Sequence, residues 1–166
     1  MRSNPAWRWR VQCVVAALAA LLALPVAAQV ARLDDSASPR AEVQADFGHA
    51  TPVDGHTVRV PFGRVEYRLA TMPYIGKRAR IYYVVPPQIP GLTTPGGLTV
   101  QWRASGRFAP GQAQPGMRVP VWTGVVQGPW LQESLDLDLL IDLRMLRLPG
   151  NAPLSFESYF EIEVLP

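Results

Sequence analysis

Residues 131–148 read LQESLDLDLLIDLRMLRL, and the choice between helix and strand for them decides the fold class. Leucine is a good helix former. On a helix, however, Leu135, Leu137, Leu139, Leu140, Ile141, Leu143, Met145 and Leu146 would point in every direction around the axis. On a strand, positions 135 to 145 put every odd residue on one face, with Ser134, Asp136, Asp138, Asp142 and Arg144 on the other. Strand is therefore the reading adopted. Roughly seventeen extended residues at 3.3 Å each would run about 56 Å, longer than a small sandwich, so a bend or bulge is expected. Met145 and Leu146, where the apolar parity switches, mark its predicted place. Residues 149–153 (PGNAP) then read as a turn. The last strand returns with Leu154, Phe156, Phe160, Ile162 and Val164 inward and Glu157, Glu161 and Glu163 outward.

The same period of two recurs upstream. Ala41, Val43, Ala45 and Phe47 alternate with polar residues, as do Val58 and Val60, and then Val65, Tyr67 and Leu69. Residues 79–85 (ARIYYVV), 98–104 (LTVQWRA) and 117–126 continue the series. Alternation of this kind is the habit of antiparallel strands with one face in the core. Asp54-Gly55 predicts a two-residue hairpin, and Pro95-Gly96, Pro110-Gly111 and Pro115-Gly116 mark tight turns. Seven or eight strands without a helix predict an all-β fold, a single antiparallel β-sandwich of immunoglobulin-like or jelly-roll-like type spanning residues 41–166.

The N-terminus reads differently. Arg2, Arg8 and Arg10 precede an apolar stretch over 11–24, Pro25 breaks it, and Val26, Ala27 and Ala28 supply small residues for a signal peptidase. Residues 1–28 are expected to form a cleaved Sec-type signal, so the product is periplasmic, cell-surface or secreted. Residues 29–40 (QVARLDDSASPR) lack periodicity and are expected to be a flexible leader.

Cleavage leaves 138 of the 166 residues, and a chain of about 150 residues buries near 70% of its unfolded surface. The whole chain carries 16 basic and 13 acidic side chains. Removing the three signal arginines leaves 13 against 13, so the basic pI gives no support for nucleic-acid binding. Cys13, the only cysteine, departs with the signal, which excludes disulfides and a thiol nucleophile from the product.

Few residues suggest chemistry. His49 and His56, with Asp46 and Asp54, are candidate metal ligands. In a two-residue hairpin His49 pairs with Val60, and the histidines stand four rungs apart, about 13 Å, too far to share an ion. No serine lies in a G-x-S-x-G elbow. No glycine-rich loop opens a helix to cradle phosphate, and no cofactor is expected. Asp136 and Asp138 share a face, with Glu157, Glu161 and Glu163 on an expected neighbour. Regular alternation explains them as solvated strand faces more readily than as a glycosidase pair.

The aromatic residues are the better candidates. Trp122 shares parity with Arg118 and Pro120, Trp130 follows Gly128-Pro129 in a connection, and Tyr82 lies on the Arg80 side of its strand. Trp122, Trp130 and Tyr82, with Arg80 and Arg118, are the candidate binding residues; Val84 and Val126 on those same faces favour the alternative, strands buried on both sides with the aromatics in the core. Charge also divides along the chain. Arginines load the first half and carboxylates the second, which gives either cross-strand pairs within the fold or complementary ends that associate head to tail.

The expected function is that of an exported, non-enzymatic binding or assembly module of the cell envelope. It would engage a protein partner or a second copy of itself, as subunits of pilus-like surface structures do. That analogy is architectural, because the cysteine pair common in such subunits is missing. The alternative is a carbohydrate-binding module that meets a glycan through the exposed aromatics.

Overall fold

Residues 131–142 are extended, as their alternation requires, and they form most of the central strand of the larger sheet. The computed structural model describes residues 30–39, 45–148 and 154–166. Among these, nine strands occur: β1 (Val30–Arg32), β2 (Thr51–Pro52), β3 (Thr57–Ala70), β4 (Arg78–Val84), β5 (Leu98–Ala104), β6 (Gly111–Ala113), β7 (Arg118–Val125), β8 (Trp130–Asp142) and β9 (Tyr159–Val164). They build two antiparallel sheets, ordered β1-β9-β4-β7 and β2-β3-β8-β5-β6. The two sheets face each other as a β-sandwich. Leu135, Leu139 and Ile141 of β8, Val60 and Leu69 of β3, Ile81 and Tyr83 of β4, and Phe160 and Ile162 of β9 lose all contact with water between them.

Two bulges explain where the alternation changes parity. In β3 the apolar positions run 58 and 60, then 65, 67 and 69. Pro61 pairs with Asp138 and Gly63 with Leu137, so Phe62 is the extra residue. Gly63 has φ of 98°, a backbone state that suits glycine. The two alternating segments are thus one 14-residue strand. In β7, Ile81 faces Trp122 and Tyr82 faces Pro120, which makes Val121 the extra residue.

Several sequence expectations are corrected. The leader reading fails at residues 30–39: Val30–Arg32 pairs with β9, and Leu33 is buried. A three-residue strand is too short to reveal a period, and its pairing is what orders it. The strand expected over 41–47 is not found in its described part, since Phe47 lies exposed in the 3-10 turn Phe47–His49. Residues 40–44, the expected signal 1–28 with Cys13, and the expected turn at 149–153 lie outside the described residues.

The long leucine-rich strand ends at Asp142, earlier than expected. Its side chain accepts from Arg144 N–H at 3.0 Å and starts the 3-10 turn Leu143–Met145. The last strand begins at Tyr159, while Leu154 is buried without strand pairing.

Candidate interaction surfaces

On the outer face of the four-stranded sheet, β4 and β7 bring three of the five candidate binding residues together. Arg118 lies over the ring of Tyr82, with its guanidinium carbon 3.5 Å from the centroid. Its Nε reaches Glu161 Oε2 on β9 at 2.7 Å. The Tyr82 hydroxyl donates to Glu163 and accepts from Arg80 Nη1 at 3.5 Å, while Arg80 Nε points to Thr123 Oγ1 at 3.4 Å. At the sheet edge, Arg32 stacks on Tyr159 at 4.6 Å. Each cation here is held by an aromatic ring, an acceptor or both.

That network buries Tyr82, in keeping with the valine on the same face of its strand. The ring is only 8% exposed because Arg118 covers it.

Trp122 is misplaced by parity alone. The bulge at Val121 pairs Trp122 with Ile81, whose side chain is in the core, and Trp122 packs half-buried against that core. Its ring lies against Gly124, where a Cβ would come within 2.8 Å of it. Trp130 is exposed, at 42%. It opens β8 on the other sheet, and Arg68 stacks on it at 4.6 Å. The three aromatics therefore do not form one platform.

The carboxylates separate as well. Asp136 and Asp138 face outward on β8 of one sheet, whereas Glu161 and Glu163 face outward on β9 of the other. The expected neighbouring of those strands does not occur. Arg64 bonds Asp136 at 3.0 and 3.1 Å and holds its carboxyl below the ordinary carboxylate value. Arg59 and Arg103 flank Asp138 at 3.6 and 3.5 Å. A general acid needs the opposite shift. Two arginines of the first half, Arg59 and Arg64, thus pair with carboxylates of the second across the larger sheet.

The histidine loop follows a different register from the one expected. Thr51 pairs with Arg59 and Pro52 with Val58. Asp54 Oδ1 accepts from His56 N–H and Thr57 N–H at 2.8 and 2.7 Å, closing a longer loop than two residues. The ladder stops at Thr51, so His49 has no rung. Its Nδ1 meets Asp46 Oδ2 at 2.6 Å. Among the described residues, no group of three His, Cys, Asp or Glu side chains is placed to hold a metal ion. Comparison with family models, with curated proteins and with solved structures finds no match to this chain.

One charged residue escaped the sequence reading. Glu133 is 5% exposed on the inward parity of β8. Its Oε1 accepts Arg107 N–H at 2.7 Å, while Oε2 has no partner. A Cβ on Gly106 would run into this carboxylate, so glycine lets the β5–β6 connection close over it. The signal was present: 133 has the same parity as Leu131, Leu135 and Leu137.

Proposed function

We propose that this chain is an exported, non-enzymatic binding module of the cell envelope that recognises a protein through the outer face of its four-stranded sheet. The observation that carries this reading is Arg118 stacked on Tyr82 and clamped by Glu161. Arginine and tyrosine are favoured at protein interfaces, and a cation already held in place loses little freedom on docking. Arg32 on Tyr159 extends the same chemistry to the sheet edge. Export is supported by the order of charge, apolar stretch and small residues at the N-terminus.

Size-exclusion chromatography with light scattering, together with capture from envelope extracts, tests the proposal. A defined partner or oligomer is expected, and Arg118→Glu should weaken it at least tenfold. A strictly monomeric protein that captures nothing, or capture indifferent to Arg118→Glu, defeats it. The carbohydrate reading has no comparable observation in its favour, because Tyr82, Trp122 and Trp130 occupy three separate surroundings.

A further inference from the structure

The two sheets differ in how their arginines are matched. The strands of the five-stranded sheet carry four arginines and five carboxylates. Arg59 and Arg103 meet Asp138, Arg64 meets Asp136, and Arg68 lies over Trp130. The strands of the four-stranded sheet carry four arginines, Arg32, Arg78, Arg80 and Arg118, but two carboxylates, Glu161 and Glu163. All six point outward. Ala79, Ile81, Tyr83, Phe160 and Ile162, which alternate with the charges of β4 and β9, are buried. Arg32 is level with Glu161, and Arg118 lies over Tyr82. Both carboxylates are already engaged, Glu161 by Arg118 and Glu163 by the Tyr82 hydroxyl. Among the described residues, Arg32, Arg78 and Arg80 have no carboxylate in salt-bridge contact. Arg32 and Arg78 are exposed, and Arg80 reaches the hydroxyl oxygens of Thr123 and Tyr82. Fixed cations in excess on one face are complementary to an anionic partner.

Resting on the docking face proposed above, we infer that its partner is an extended acidic segment of a protein, with carboxylates separated by uncharged residues. Arg78 and Arg80 stand two residues apart on β4, about 7 Å, which is the spacing of alternate side chains on an extended chain. A guanidinium donates two parallel hydrogen bonds to a carboxylate, so planar, spaced acceptors suit these arginines. The two glutamates argue against a uniform polyanion. Glu163 is level with Arg80, and Glu161 is level with Arg32. A sulfated glycan or an acidic headgroup layer would therefore meet a like charge beside each of these arginines. A protein segment can lay its carboxylates along β4 and leave uncharged atoms over β9, so that the glutamates select against the wrong partner.

Protein isolated from the exporting cell is titrated against three fluorescent probes, with binding read by anisotropy. The probes are a short peptide alternating aspartate and serine, the same peptide with asparagine for aspartate, and a heparin oligosaccharide. The aspartate peptide should bind at least about tenfold more tightly than the asparagine peptide, and added salt should weaken it. Heparin should bind less tightly than the aspartate peptide. Arg78→Gln with Arg80→Gln should weaken the aspartate peptide about tenfold with an unchanged circular dichroism spectrum, and Glu163→Gln should strengthen it about threefold. Arg103→Gln, on the other sheet, should leave it unchanged. Equal affinity for the two peptides overturns the inference, as does a loss as large in Arg103→Gln as in the double variant. Tighter binding of heparin overturns it too, in favour of a polyanion. Capture from envelope extracts separates this failure from that of the docking face itself. If Arg118→Glu abolishes capture while the two peptides bind alike, the face docks a protein of other chemistry and the acidic segment alone is refuted. Capture indifferent to Arg118→Glu refutes both.

Discussion

Glu133 presents the clearest energetic conflict at the level of single residues. Burying a carboxylate with one oxygen unpartnered is unfavourable, and the Arg107 N–H offsets only part of that. Glu133→Gln keeps an acceptor for Arg107 N–H and removes the buried charge, so urea unfolding should find it neutral or more stable by about 1 kcal/mol. Glu133→Ala should be less stable, because Arg107 N–H is then left without its acceptor.

Asp142 carries a pH dependence. Its carboxyl is bonded by the Arg144 guanidinium at 3.0 and 2.6 Å and by Arg144 N–H, which holds it down at about 2, below the ordinary 3.8. A depressed folded-state value means a stabilisation that is complete above about pH 4 and disappears as pH falls toward 2. Asp34, Asp46, Asp54 and Asp136 shift in the same direction. Thermal melts should therefore decline between pH 4 and 2, and Asp142→Asn should show a smaller decline.

Among the elements, the bulges matter most. Gly63 allows β3 to carry one extra residue, which brings Val60 on one side and Tyr67 and Leu69 on the other to the same core face. Gly63→Ala forces an L side chain into a positive φ, so it should destabilise by about 1–2 kcal/mol in urea titrations. It should also shift cross-strand contacts between β3 and β8 in nuclear Overhauser spectra.

The same feature shows what the sequence could reveal. The period of two is a local property, so the extended state of β3, β4, β5, β7, β8 and β9 was legible directly. The even-to-odd switch in β3 was visible as well, but the two halves read as separate segments. In β7 nothing local marked Val121 as extra, because the bulge answers to the register with β4. Trp122 consequently fell on the wrong face. Exposure of Tyr82 was illegible for a related reason: Arg118, which covers it, comes from another strand.

At the scale of the whole molecule, the two sheets share one hydrophobic core running from Leu33 to Ile162. No part of the described fold holds a second core that would unfold by itself, so unfolding should be a single cooperative transition. Leu139 sits fully buried in the central strand β8. Leu139→Ala should lower stability by about 2–5 kcal/mol. Near- and far-ultraviolet circular dichroism should still give coincident midpoints, and separated midpoints would show that the sheets come apart independently.

The four outermost strands are each blunted. β1 and β6 are three residues long, β2 is two, and β7 is interrupted by Pro120 and by its extra residue. An uninterrupted outer strand is a template on which other chains add, and proline or a kink removes that opportunity. Such margins let many copies crowd together without zipping into fibrils. A domain without disulfides has particular need of that safeguard, since transient opening is not prevented by any covalent tie.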